Sequence, residues 1–102
     1  MNRQLVSSGA KWENKVSYSR AVRVGRQIFV SGTTAVNTKG RVVGEGDVRI
    51  QARRIFEIVA AALSEAGSCL EDVVRTRMFV TDIAAAAALG LAHAEVFGQI
   101  RP

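Results

Sequence analysis

Two short β-rich runs, Arg20-Ala-Val-Arg-Val24 and Gln27-Ile-Phe-Val-Ser31, stand two residues apart, and this spacing constrains the chain more than any other feature. A link that short allows only a hairpin, so the two runs are expected to pair with each other. Gly25-Arg26 suits a type II′ turn, because glycine accepts the positive φ that the first central position demands. The rest of the domain has to be arranged around this hairpin.

Upstream, Leu5 and Val6 read as a short edge strand, followed by a polar loop from Ser8 to Ser17 around Trp12 and Glu13. Downstream, Asn37, Gly40, Gly44 and Gly46 mark turns, and between them only Val42-Val43 offers a short strand. Asp47 stands where a helix would be capped. Beyond it Ile55, Ile58, Val59, Ala62, Leu63 and Ala66 recur at three- and four-residue steps, while Arg49, Arg53, Arg54, Glu57 and Glu65 fall elsewhere. Gly67 is a left-handed stop. Val73 to Val80 alternates, with Val74, Thr76, Met78 and Val80 on one side and Arg75, Arg77 and Phe79 on the other, as a half-exposed strand does. Ala84 to Phe97 is rich in alanine and free of proline, which predicts a second helix.

This order predicts an α+β domain spanning residues 1–102, with both helices on one face of a mixed sheet. The sheet's closing partner has not appeared by Pro102. A missing final strand would leave an unpaired edge and an open apolar face, so a C-terminal tail beyond this sequence is expected.

Of the 102 residues 48% are hydrophobic and 23% charged, which suits one folded domain and not a disordered tail. The longest apolar stretch, Ile83 to Leu91, falls well short of the ~20 residues that span a bilayer. No basic and apolar leader opens the chain, and the single Cys69 cannot close an internal disulfide, so the expected compartment is the cytoplasm. The net charge of +5 rests largely on arginine: Arg20, Arg23, Arg26, Arg41, Arg49, Arg53, Arg54, Arg75 and Arg77. These are scattered singly or in pairs without interleaved aromatics, the pattern of a solvated basic surface more than of a nucleic-acid site.

Few other residues carry chemistry. His93 has no partner at metal-ligand spacing, and Cys69 has no nearby histidine, so a half-buried histidine and a small packing residue are the readings. The glycines lack the Gly-Lys-Ser/Thr ending of a phosphate loop. Trp12 and Glu13 suit either a cleft or the cover of an edge strand. Tyr18, on its own, reads as a buried edge tyrosine more than as a functional one.

Val24-Gly25-Arg26-Gln27-Ile28-Phe29-Val30-Ser31-Gly32 resembles the signature of the YjgF/Rid family, in which a hydrophobic residue, glycine and two polar residues precede a strand ending Ser-Gly. Tyr18 just ahead of it, Gly44-Glu-Gly-Asp47 leading into Gln51-Ala-Arg53, the helix end at Ala66-Gly67, and Val73 to Asp82 agree in order and spacing over nearly the whole chain. The resemblance implies a chorismate-mutase-like fold, a homotrimer whose sheets form a central barrel, and ligand clefts between subunits. No cofactor and no metal are implied. In deaminating members a water attacks the imine carbon of a short 2-imino acid, ammonia leaves, and a 2-oxo acid results. Such a substrate calls for a guanidinium to hold its carboxylate, a carboxylate base for the water, and a phenol or backbone groups to orient the imine.

By this resemblance Tyr18 matches the cleft tyrosine and is the catalytic candidate, while Ser31 and Gly32 match the pocket-lining strand end. Trp12 and Glu13 are further candidates for the lining. The family's carboxylate-binding arginine falls two positions after a proline that aligns with Pro102, and its water-activating glutamate later still, so both lie past this sequence. Gly90 stands where the family has a cleft asparagine. Arg101 replaces an aromatic or apolar residue and is the local candidate for meeting the same anion. The expected ligand is a small carboxylate-bearing metabolite. Two other functions stay open: a basic RNA-acting protein of the endoribonuclease or translation-inhibitor type, and a non-catalytic scaffold trimer.

Overall fold

In the computed structural model, which describes residues 2–102, the hairpin forms as its link requires. Strands β2 (Ala21–Val24) and β3 (Gln27–Val30) pair antiparallel, with Val24 opposite Gln27 across the turn. Gly25 has φ 61°, whereas Arg26 is not among the residues with positive φ, which marks type II′ rather than type I′. Strand β1 (Arg3–Val6) pairs with the other edge of β2 in the register Leu5 to Val22 and Val6 to Ala21.

Every pairing in this three-stranded sheet is antiparallel, in the order β1-β2-β3, so the expected mixed sheet is corrected. A parallel neighbour needs a strand arriving by a crossover, and the segment expected to supply one, Val73 to Val80, joins no ladder among the described residues. Its alternation is real, but alternation specifies faces and not partners. Val74 and Phe79 are accordingly left 86% and 84% exposed. The small hairpin expected at Val42-Val43 reduces to one bridge between Val36 and Val42, its turn closed by the Asn37 side chain accepting from the backbone of Lys39 and Arg41.

The stretch from Ser8 to Ser17, read as a loop, contains helix α1 (Lys11–Val16), with Trp12 and Glu13 in its first turn. Ala10 offers no capping side chain, and six residues are too few to be stable unaided, so local sequence gave no sign of it. Ser17, at φ 69°, ends the helix, and the amides of Ser17 and Tyr18 both return to the Glu13 carbonyl.

Helix α2 (Val48–Glu65) begins and ends as its flanking residues dictate. Asp47 accepts from the amides of Arg49 and Ile50. At the far end Gly67, at φ 84°, donates to the Ser64 carbonyl and Ser68 to that of Leu63, the paired bonds of a Schellman stop. The sheet supplies two further partners for the last carbonyls, Gln4 Nε2 to Glu65 at 2.9 Å and Arg23 Nη1 to Ala66 at 2.5 Å. They tie β1 and β2 to the helix end.

The core beneath α2 is a seam of small side chains: Val6, Ala21, Ala62 and Ala66, with Ile28 packed against them. Alanines on both layers let the helix lie close to the strands. Helix α3 (Ala86–Phe97) follows a short turn capped by Asp82 and packs mainly on α2, so the two helices do not share the sheet equally. The rings of Phe56 and Phe97 meet edge to face at 5.3 Å, and Arg49 and Arg53 both reach Glu95. Phe56 already carries an aromatic anchor, so α2 offers α3 a better seat than a sheet that α2 itself covers. The opposite sheet face stays open, and the strand register lines up Leu5, Val22 and Phe29 across it, with Leu5 63% and Phe29 60% exposed.

Candidate functional site

The end of the hairpin away from its turn is where the chain collects polar side chains. One residue beyond β2 and β3 the ladder continues, with Arg20 N donating to the Val6 carbonyl and Ser31 N to the Arg20 carbonyl. The Ser31 hydroxyl donates to the Ser19 carbonyl at 2.7 Å. Tyr18 therefore leaves α1 directly above the point where β3 ends at Ser31-Gly32. The left-handed Ser17 sets that exit direction.

Arg20 binds these pieces together. Its Nη1 donates to the Gly32 carbonyl at 2.5 Å and to Thr33 Oγ1 at 3.0 Å, and its Nη2 donates to the Tyr18 phenol oxygen at 3.3 Å. The guanidinium also lies 5.4 Å from the centre of the Tyr18 ring. Arg20 is 4% exposed, as is Glu13, whose Oε2 stands 3.5 Å from Arg20 Nε. Nε has no hydrogen-bond partner, so this contact is one of charge and not of a directed bond.

Glu13 is anchored on its other side by the Ser7 hydroxyl at 2.9 Å, the Ser8 amide at 3.2 Å, and the Ser8 hydroxyl. Burial raises its carboxyl, but the bonds from Ser8 and Ser7 and the Arg20 charge outweigh burial and hold it below the usual carboxylate range. It is an ionised structural carboxylate with its acceptors already engaged.

The predicted site residues thus divide. Tyr18, Ser31 and Gly32 are brought together, all through Arg20. Glu13 lies behind Arg20. Trp12 lies on the surface of α1, 55% exposed, with the ammonium groups of Lys11 and Lys15 at 5.6 and 5.4 Å from its ring. Arg101 is exposed, in a left-handed conformation at φ 53°, its amide bound to the Phe97 carbonyl, and it makes no hydrogen bond or ion pair with the others. Gly90 lies within α3. Sequence reasoning missed Arg20 and Thr33. The one signal for Arg20 was its place against an apolar strand start, where a solvated charge is out of keeping.

A hollow of about 460 Å³ lies between the end of β1 and α2, lined by Val6, Ser7, Ser8, Arg54, Glu57 and their neighbours. None of Tyr18, Ser31 or Gly32 lines it. Among the described residues no group of three His, Cys, Asp or Glu side chains is placed to hold a metal ion, and no helix is long and apolar enough to cross a membrane. His93 is half-buried between Phe56 and Phe97 and bonded to Thr76 at 2.8 Å. Cys69 is exposed instead of packed; hydrogen bonding to Glu71, and then to Asp72, pushes its thiol up, away from nucleophilic use.

Residues 9–102 match the family described as Endoribonuclease L-PSP. The crystal structure of Rv2704 from Mycobacterium tuberculosis, described as a member of the YjgF/YER057c/UK114 family, superposes with a TM-score of 0.87 at 44% identity, covering 99% of this chain and 79% of that one. The uncharacterized protein SCO2049 of Streptomyces coelicolor is 39% identical over 98 residues, 95% of this chain and 72% of that protein. The 3-aminoacrylate deaminase RutC of Acinetobacter baylyi is 33% identical over 85 residues, 83% of this chain and 68% of its own length.

Proposed function

The chain belongs to the Endoribonuclease L-PSP family, the YjgF/Rid proteins, and on that premise we propose that it hydrolyses reactive 2-imino or enamino acids to 2-oxo acids and ammonia, in the cytoplasm and in clefts between the subunits of a homotrimer. The observation that carries this reading is the Tyr18 phenol held over the end of β3 by Arg20. A relative named as a deaminase of 3-aminoacrylate, itself an enamino acid, supports the reaction class.

The chemistry asks little of the protein beyond placement. An enamino acid tautomerises to the imine, water adds to its C2, a proton moves to nitrogen, and the C–N bond breaks to release ammonia and leave a carbonyl. Tyr18 Oη accepts from Arg20, which turns its own O–H outward as a donor toward a substrate oxygen or nitrogen. The Ser31 hydroxyl gives its proton to Ser19 and presents only lone pairs, suited to accept from an imine or amine N–H. Arg101 is the residue of this chain proposed to meet the carboxylate, in place of the family's arginine.

The assembly rests on two features. The open sheet face carries the apolar row Leu5, Val22 and Phe29, a surface of the kind that marks association. Tyr18 is 36% exposed, which leaves its ring within reach of a neighbouring subunit.

Ammonia release from 2-iminobutanoate and 2-iminopropanoate, generated in place by a threonine or serine dehydratase, tests the proposal. The protein is expected to exceed the enzyme-free control, and Tyr18→Phe to lower the rate about tenfold, the scale of one lost hydrogen bond. No acceleration by folded protein would remove the deaminase and leave a binding cleft.

A further inference from the structure

Arg20 is a costly residue to bury. A guanidinium removed from water loses several kcal/mol of hydration unless partners replace it, so a chain that keeps one inside has a use for its geometry. Closing the end of the sheet is not that use, because the backbone does so already through Arg20 N to Val6 and Ser31 N to Arg20, with Ser31 Oγ on Ser19. The side chain's own donors go to the Gly32 carbonyl, Thr33 and the Tyr18 phenol. Those groups lie just past the last ladder bonds, where no backbone hydrogen bond joins Tyr18 to Gly32 or Thr33. Arg20 is also no candidate to grip a substrate carboxylate, since its side chain is 5% exposed and Glu13 neutralises it.

We propose that Glu13 and Arg20 are the positioning residues of this site: the planar guanidinium fixes the Tyr18 oxygen relative to the end of β3, and Glu13, clamped by Ser7 and Ser8, fixes the guanidinium. The kinetic side of this inference rests on the deaminase reading above; the geometric side does not. A lysine cannot take over, because one ammonium on a flexible stem does not reach the phenol and the Gly32 and Thr33 oxygens in a fixed fork. Glu13→Gln keeps the shape but lets an amide face the guanidinium, which frees Arg20 to shift.

Tyr18 is the single tyrosine of the chain, so its ring can be observed alone. In protein carrying ¹³C-labelled tyrosine, Arg20→Lys is expected to move the ring resonance and Glu13→Gln to move it less in the same direction, while Arg49→Lys leaves it in place. A resonance unmoved by either of the first two variants would overturn the proposal, and Glu13→Gln decides alone if Arg20→Lys does not fold. The second arm is a double-mutant cycle. Arg20→Lys should lower kcat about tenfold with KM little changed, yet have under about a twofold effect in the Tyr18→Phe background, because residues that act through one group are not additive. Equal losses in both backgrounds would mean that Arg20 serves stability alone, and would sink the proposal. If the unsubstituted protein releases no ammonia, the deaminase reading fails and the tyrosine resonance still judges the positioning.

Discussion

Arg20 and Glu13 meet with side chains 5% and 4% exposed, whereas Arg49, Arg53 and Glu95 meet where 47%, 52% and 34% of each side chain remain in solvent. By distance the surface cluster is the better made. Arg53 Nε lies 3.0 Å from Glu95 Oε2 and Arg49 Nε 3.0 Å from Oε1, against 3.5 Å for the buried pair. Hydrogen bonds from Arg53 and then Arg49 hold the Glu95 carboxyl at about 2. Short contacts are nevertheless a poor guide to importance, because water already solvates the surface groups well and has no access to the buried ones. The surface cluster joins two helices that also meet through Phe56 and Phe97; the buried pair ties Ser7 and Ser8, Tyr18, and Gly32 and Thr33 to one another just past the last ladder bonds of the sheet.

This difference can be broken most directly at Arg20. Arg20→Met leaves Glu13 buried without its counter-charge and is expected to cost about 3–5 kcal/mol, read from the shift of a urea unfolding midpoint. Adding Glu13→Leu should return most of that stability without restoring the Tyr18 resonance or the rate, which separates strength from placement. A loss of less than about 1 kcal/mol for Arg20→Met would mean that the two clusters are equivalent.

Acid sharpens the same contrast more gently. Glu13 and Glu95 both titrate lower in the folded chain than the ordinary 4.5, so the unfolded chain takes up protons first. Their stabilisation is complete above that ordinary value and is lost as pH falls through the folded ones, toward about 2 for Glu95. Unfolding midpoints measured downward from about pH 6 should therefore decline below about pH 4.5, and Glu13→Gln should flatten the decline. The smallest effect is expected from Glu95→Gln, a slight lowering of the midpoint that disappears at about 0.5 M salt, where exposed charges are screened. A salt-independent loss there would place Glu95 among the residues that hold the fold.

What the sequence made legible was what is set within a few residues. Gly25-Arg26 turns the hairpin, Asp47 caps the amides just beyond it, and Gly67 stops α2, each by chemistry local to the position. Helix α1 escaped because its ends carry no capping side chain and its support comes from Glu13 reaching other segments. The strand expected at Val73 to Val80 had the right alternation, yet a ladder depends on a neighbour that alternation does not name. At the site, Tyr18, Ser31 and Gly32 were recognisable by family pattern. Arg20 was one arginine among many until burial and its three acceptors set it apart.

Position 67 ties its own history to that of position 23. A side chain there would strain the backbone at φ 84° and place its Cβ 2.9 Å from Arg23 Nη1, the atom that holds the Ala66 carbonyl. Asparagine, which tolerates left-handed backbone, would satisfy the first demand but displace the arginine. Drift at the two positions is therefore only partly coupled: losing Arg23 would relieve the crowding at position 67 but not its demand for left-handed backbone, so change there would still be confined to residues such as asparagine.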